Sequence, residues 1–514
     1  MAWTRERLEA VARTRLGGTR LVVVANREPF IHVYEGEAIR CTRPASGLTT
    51  ALDPMLRACS GTWVAHGGGD ADRAVADDRG RVRVPPEKPA YTLRRVWLSK
   101  QEEQGYYYSV ANEAFWPLCH IACTRPRFDA DDWKQYRRVN QKFAHAVLDE
   151  VGDEPAVVFV QDYHFALLPR MLKNARPDLV VLHFWHIPWP NREVFRICPW
   201  QEEVLDGLLG NDLLSFHLQY HCNNFLETVD RALESRVDME SFAVTRGGRT
   251  TYVRPQPISI DPDLMAAVAP EEARKEEGRI RQRLGVRDRL LLVGVDRVDY
   301  TKGIPERLRA VDRLLILHPE LKRKFSFVQV AAPSRVHIPT YRRLSEELAA
   351  LVEEINWRHG NHAWQPIVYL NEHHDQEQLY PLYRMASGCV VSSLHDGMNL
   401  VAKEFIAARD DLRGVLVLSR FAGAAQELTD ALLINPYAVD EFAEALRLAL
   451  VMPEEEQQRR MRRLRQQVAD NNVYRWAGML LSEAGKLVAA QPWEKPASEP
   501  HVPDAEPNQL VEVG

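Results

Sequence analysis

The chain has 514 residues, 45% hydrophobic and 27% charged, which excludes a disordered or collagen-like protein and supplies apolar side chain for two or three cores. With 66 Lys and Arg against 71 Asp and Glu the net charge is -5, so no global basic field holds nucleic acid or an anionic membrane. Any anionic ligand must be met by a local cluster of cations.

Residues 1–19 are charged throughout, with Glu6 and Glu9 and no apolar segment. They read as a helical extension, neither a signal nor a transit peptide. Short β-branched runs then alternate with helical patterns: Leu21 to Ala25, Ala156 to Val160, Leu179 to Phe184 and Leu213 to Phe216 in the first half. Leu290 to Val295, Phe325 to Ala331, Ile367 to Leu370, Cys389 to Ser392 and Val415 to Leu418 follow in the second. Near-continuous apolar strands between helices predict parallel sheets covered on both faces, an α/β fold. Two series predict two doubly wound, Rossmann-like domains, 20–256 and 257–472, facing each other across a cleft. The seam falls at Arg254-Pro255-Gln256-Pro257, where prolines disfavour helix. Charged helices are expected at Glu271 to Leu284 and over 454–468, the latter amphipathic through Met461, Leu464 and Val468. A helix over 473–490 is expected to pack back on the first domain, and the Pro- and Glu-rich 491–514 reads as a disordered tail. No window is apolar enough to span a membrane.

In such folds ligands sit beyond the carboxyl ends of the strands. Asn26-Arg27-Glu28-Pro29 ends the first strand, and Ser46-Gly47-Leu48 opens a helical pattern. A guanidinium beside a glycine loop suits an anion, although Arg27 could equally pair within its own domain. The glycines are too few for the GxGxxG dinucleotide fingerprint. Asp70-Ala71-Asp72 has the DxD form of a metal-dependent transferase but follows no strand, so it reads as a solvated turn. Tyr107 and Trp116 supply flat surfaces of the kind that line sugar sites. Asp162-Tyr163-His164 and His186-Ile187-Pro188 end two further strands. Ile260-Asp261-Pro262-Asp263-Leu264-Met265 approaches a haloacid phosphatase motif, but Met265 stands where a small or hydroxylated residue is wanted.

After Leu290 to Val295 comes Asp296-Arg297-Val298-Asp299-Tyr300-Thr301-Lys302-Gly303. Two cations five apart across a strand-to-helix turn can both reach one diphosphate. His373, His374 and Asp375 are adjacent on one strand end and rarely converge on one metal ion. After Val391, Asp396-Gly397 makes a turn and a helix begins near Asn399, its first amides free to hold a phosphate and Glu404 free to take ribose hydroxyls. The seven cysteines, Cys41, Cys59, Cys119, Cys123, Cys198, Cys222 and Cys389, form no CxxC pair and read as reduced thiols of a cytoplasmic protein.

Asn26-Arg27, Phe115-Trp116-Pro117, Asp162-Tyr163-His164, His186-Ile187-Pro188, Arg297 to Gly303, Asp396 to Glu404 and Phe421-Ala422-Gly423-Ala424 together resemble the trehalose-6-phosphate synthase family, from about Arg20 to about Gly485. The resemblance implies a GT-B fold and transfer of glucose, with retention, from a nucleotide diphosphate glucose such as UDP-glucose to glucose 6-phosphate. It implies a catalytic set of Asp162, His186, Arg297, Lys302 and Asp396. The implied donor site is Gly47, His186, Arg297, Lys302, His374, Asp396, Asn399, Leu400, Val401 and Glu404. The implied acceptor site is Arg27, Tyr107, Trp116, Asp162 and Arg335. No metal or other cofactor is implied, and the partners are small molecules; a dimeric or tetrameric homo-oligomer is compatible with the chain. Four positions depart from the family pattern: Ser46 for a glycine, Gln161 for a histidine, Ser259 for a glycine and His395 for an arginine. Asn26-Arg27-Glu28-Pro29 and the single loop glycine also resemble glucosylglycerol-phosphate synthase, which uses glycerol 3-phosphate, but Arg335 in Ala332-Pro333-Ser334-Arg335 favours a sugar phosphate. A sensor with this fold and no turnover would need only one of the two half-sites.

Overall fold

The strand Arg20–Val24, with the sequence RLVVV and four residues buried, lies inside a ten-stranded sheet. The order across that sheet is Arg236–Asp238, Ala243–Arg246, Arg249–Pro255, Leu213–Phe216, Val180–Phe184, Ala156–Gln161, Arg20–Val24, Thr62–His66, Tyr91–Val96 and Arg81–Val84. The members from Arg249–Pro255 to Tyr91–Val96 run parallel, and antiparallel strands close the two edges. The computed structural model describes residues 3–43, 47–122, 124–265, 270–286 and 289–490. The tail, Ser46 and Cys123 lie outside them.

A second sheet of six parallel strands has the order Ile367–Leu370, Phe325–Ala332, Leu290–Arg297, Gly388–Val391, Val415–Ser419, Leu432–Ile434. Numbered along the second half of the chain this is 3-2-1-4-5-6, the doubly wound order of dinucleotide-binding folds. All nine strands expected from apolar runs form, with ends shifted by at most two residues. The amphipathic helix Glu454–Asp470 buries Met461, Leu464 and Val468 as its spacing requires.

The strand Tyr91–Val96 carries no apolar run because Arg94 and Arg95 interrupt it, yet it lies one place from the sheet edge. Arg95 is fully buried there, with Nε 2.8 Å from Glu28 Oε2 and Nη2 2.8 Å from Asp72 Oδ1. Asp72 is therefore no solvated turn residue. Its side chain is 0% exposed, and it also accepts from the amides of His32 at 2.8 Å and Gly69 at 2.7 Å. A carboxylate can be buried this way only because a guanidinium and backbone amides surround it. The cluster fixes the loop that follows the first strand, since Glu28 also accepts from Gly68 N at 3.1 Å. Burial and the neighbouring Asp72 push Glu28 up to about 8 despite Arg95.

The last helix, Val473–Ala490, returns to the first sheet. Trp476 meets Phe159 and Phe184 at ring distances of 6.2 and 5.4 Å, and the helix packs along Arg5–Leu16. Gly478 is required at that contact, because a Cβ there would lie 2.1 Å from the Trp3 ring. Asp261, in the phosphatase-like string, is spent on structure: its Oδ2 accepts from Tyr474 Oη at 2.6 Å.

Arg95→Ala leaves Asp72 as a buried carboxylate without its cation, a loss of about 3–5 kcal/mol. The midpoint of urea unfolding should fall accordingly, whereas Arg94→Ala, on the same strand, should shift it by a much smaller amount.

Candidate active site

Both sheets place their chemistry where the strand order reverses. In the first sheet Arg20–Val24 lies between Thr62–His66 and Ala156–Gln161, so Arg27 and Asp162 leave neighbouring strand ends. In the second, Leu290–Arg297 lies between Phe325–Ala332 and Gly388–Val391, which brings Asp299, Arg335 and Asp396 to one crevice. The two crevices meet. A Cβ on Gly397 would come 2.3 Å from the His186 carbonyl oxygen, His395 Nδ1 lies 2.8 Å from His120 O, and Trp116 Nε1 donates to Asp299 Oδ1 at 3.4 Å.

On the second domain Lys302 Nζ lies 2.6 Å from Asp396 Oδ2, which also accepts from Ser393 Oγ at 3.1 Å and Asn399 Nδ2 at 3.3 Å. Burial opposes ionisation, but the Lys302 ammonium holds the Asp396 carboxyl well below the usual carboxylate range. Asn399 has φ 76° and caps the helix Leu400–Ala408, its Oδ1 accepting from Ala402 N at 3.3 Å. The amides of Leu400 and Val401 in that first turn have no intrahelical acceptor. Glu404 stands one turn further, pushed up to about 7 by burial, with Tyr383 Oη 3.4 Å from its Oε2. Under the turn, buried Arg307 donates to Asp296 Oδ2 at 2.6 Å, Gln329 Oε1 at 2.9 Å and Ser392 Oγ at 2.9 Å. His374 follows the strand Ile367–Leu370, with Nδ1 3.4 Å from Glu372 O. Gly47 is the first residue of the helix Gly47–Cys59.

The acceptor candidates form a cationic pocket between the domains. Burial raises the Tyr107 phenol, but Arg27, Arg335 and Arg297 around it draw it below its ordinary value. Tyr107 belongs to a π-helical run, Gln104–Phe115, of a kind that concentrates at functional sites. Arg335 stacks its guanidinium 4.2 Å over Trp116 and donates to Asp299 Oδ2 at 3.1 Å and to Tyr341 Oη. Trp116 is thus the platform for Arg335, and one carboxylate, Asp299, holds both. Sequence reasoning quoted Asp299 without giving it a role and missed Tyr341, which sits in the helix Pro339–His359 with no motif around it.

Asp162 sits on strained backbone, φ 69° and ψ 173°, a region nearly confined to glycine. Its Oδ1 accepts from the amides of Tyr163 at 3.0 Å and His186 at 3.1 Å, and burial pushes its carboxyl up to about 7. Among the described residues eight non-glycines have positive φ, and Asp162, Arg335 and Asn399 are three of them. Strain concentrated at one cleft marks a functional site. His186 Nε2 lies 2.9 Å from Gln161 Oε1, and burial pushes the imidazole down to about 3, so it is neutral. His217 ties this loop to the inter-domain crossing, with Nε2 3.1 Å from His186 O and Nδ1 accepting from Ile258 N at 3.4 Å. Lys403 takes up the other side, donating to Ile258 O at 2.9 Å and pairing with Glu427 Oε2 at 2.6 Å. Among the described residues no group of three or more His, Cys, Asp or Glu side chains is arranged to hold a metal ion, and no helix is long and apolar enough to cross a membrane.

Two facing Rossmann-like domains with buried cations gathered at their shared cleft have the architecture of a GT-B glycosyltransferase. The family described as glycosyltransferase family 20 matches residues 19–486, and the chain belongs to it. It is 39% identical over 479 residues to a trehalose-6-phosphate synthase of Mycolicibacterium vanbaalenii, covering 91% of this chain and 96% of that one. A structure from E. coli, named for trehalose 6-phosphate and with UDP-2-fluoro glucose bound, superposes with TM-score 0.80 at 30% identity over 91% of this chain and 99% of its own. A UDP-forming alpha,alpha-trehalose-phosphate synthase from Burkholderia xenovorans, in complex with glucose-6-phosphate, gives TM-score 0.80 at 32% identity over 90% and 99%.

Gly397→Ala should force the domains apart at the His186 carbonyl. Small-angle scattering is expected to show a larger radius of gyration and turnover to fall by about 100-fold or more, with each domain still folded by circular dichroism.

Proposed function

We propose that this chain transfers glucose from UDP-glucose to glucose 6-phosphate, with retention, giving alpha,alpha-trehalose 6-phosphate in the cytoplasm without a metal cofactor. The observation that carries the reading is the pairing of two anion sites in one cleft: Lys302 with Asp396 and the free amides of Leu400 and Val401 for one anion, Arg27 and Arg335 beside Tyr107 for the other, with Arg297 close enough to bear on Tyr107 as well. A nucleotide diphosphate sugar and a sugar phosphate need those two sites. The E. coli and Burkholderia relatives were solved with a UDP-glucose analogue and with glucose-6-phosphate.

Breaking the anomeric bond develops negative charge on the leaving diphosphate. Arg297, Lys302 and the first-turn amides therefore act most strongly at the transition state. Asp396 orients the ammonium of Lys302 and offers a carboxylate to sugar hydroxyls. Asp162, fixed by the His186 and Tyr163 amides, accepts from an acceptor hydroxyl. His186 is neutral and acts as a hydrogen-bonding group rather than as a general acid. No side-chain nucleophile is required, since the leaving phosphate oxygen can take the proton of the attacking hydroxyl on the same face.

The decisive measurement is a matrix of UDP-, ADP- and GDP-glucose against glucose 6-phosphate and glycerol 3-phosphate, with nucleotide release followed and the product weighed by mass spectrometry. Trehalose 6-phosphate from UDP-glucose is expected; a glucosylglycerol phosphate would assign the other acceptor, and binding without release would remove the enzymatic reading. Arg297→Ala and Lys302→Ala should each lower kcat about 10²–10³-fold, while Arg335→Ala should act mainly by raising the acceptor KM.

Asp162 supplies a pH test. Burial pushes its carboxyl up to about 7, and with Oδ1 held by two backbone amides a proton added below that value falls on Oδ2 and turns the free oxygen from an acceptor into a donor, so kcat/KM for the acceptor should fall as pH drops through that range. The second ionisation of the sugar phosphate, near about pH 6, should persist in Asp162→Asn, whereas the limb near 7 should vanish.

A further inference from the structure

Gln161 is fully buried at the end of the strand Ala156–Gln161, directly before Asp162. Its amide nitrogen donates to Val160 O at 3.2 Å, and its Oε1 lies 2.9 Å from His186 Nε2. A backbone carbonyl can only accept, so the amide nitrogen must face Val160 and the amide oxygen must face the imidazole. The reversed amide would set oxygen against oxygen. Facing an acceptor, His186 Nε2 must carry the ring proton, which leaves Nδ1 with its lone pair. Gln161 is enclosed and His186 partly exposed, so Nε2 is committed to an enclosed partner and Nδ1 is the ring nitrogen left to meet a ligand.

We propose that Gln161 is a positioning residue that locks His186 as the Nε2–H tautomer, presenting Nδ1 solely as a hydrogen-bond acceptor for a hydroxyl of the donor sugar. A histidine at position 161, the residue of the family pattern, could either donate or accept and would leave the tautomer open. An amide with its nitrogen already anchored decides it. The same lock reaches the acceptor side, because the backbone amide of His186 holds Asp162 Oδ1 at 3.1 Å. Burial keeps the ring uncharged, and the amide of Gln161 brings no charge of its own beside it. The groups around His186 are His183, His217 at a ring distance of 5.7 Å, His164 and Asp162, with the backbone of Gly397 from the second domain; Lys403 and Asp396 bear on His217. The Asp162 carboxyl turns its Oδ1 to the His186 backbone amide.

This inference rests on the reading that a glucosyl donor occupies the cleft, and its test separates the two. In full-length protein labelled with ¹⁵N-histidine, with His186 assigned by loss of its signals in His186→Gln, the unliganded ring should show a protonated Nε2 and an unprotonated Nδ1 from about pH 5.5 to 8.5. Gln161→Leu should give a mixture of tautomers. Gln161→Glu sets a carboxylate against Nε2 and should convert the ring to imidazolium at the acid end of that range. In turnover, Gln161→Glu should lower kcat/KM for the donor about tenfold at low pH, recovering as pH rises, with the acceptor KM moved far less. A wild-type ring protonated on Nδ1 overturns the proposal, and so does a Gln161→Glu donor profile that superposes on wild type. If the wild-type protein transfers no glucose, the functional reading fails while the resonance measurement still decides the tautomer.

Discussion

The site depends on holding the carboxyl ends of two sheets against each other, and the tightest point of that contact is the α-carbon of Gly397 against the carbonyl of His186. No side chain fits between them. Around the point, His217, Ile258, Lys403 and Glu427 form a continuous chain of polar contacts from the first domain, through the crossing segment, to the helix Leu400–Ala408. Every distance between a donor group and an acceptor group is set by this seam. Its closest approach is backbone to backbone, and polar side chains brace it on either side.

Near-neutrality of the whole chain conceals a strongly uneven distribution. Arg27, Arg297 and Arg335 crowd one tyrosine, and four cations drawn out of solvent have carboxylates paired to them: Asp299 for Arg335, Asp396 for Lys302, Asp296 for Arg307, Glu28 and Asp72 for Arg95. The carboxylates fall into two kinds. Asp299 and Asp396 are held ionised by adjacent cations, while Asp162 and Glu404 are pushed up by burial to about 7. Among these four at the cleft an adjacent cation, where there is one, overrides the effect of burial on a carboxyl, and where there is none burial prevails.

Much of this was legible in the sequence for one reason: buried parallel strands are written as short apolar runs, and α/β folds place their chemistry just after them. Arg27, Asp162, His186, Arg297 and Asp396 were found that way. The strand Tyr91–Val96 was not legible, because Arg95 breaks its apolar run and is buried only by virtue of Glu28 and Asp72, residues far away in the chain. Asp72 was misread for the same reason, its partner being 23 residues off on another strand. Tyr341 and the amide orientation of Gln161 depend on contacts with no local pattern. Local periodicity reports which face is buried; it does not report which buried polar groups satisfy one another.

The chain crosses between its domains twice, at 255–262 and again just before Val473, and the two crossings are bonded together: Val473 N donates to Ile260 O at 2.9 Å, beside the Tyr474 to Asp261 contact. Two covalent connections lying side by side define an axis. Two tethers bonded side by side resist a twist about either one and favour a hinge about their common line. An opening about that line would leave the face-to-face registry of the two sheets intact.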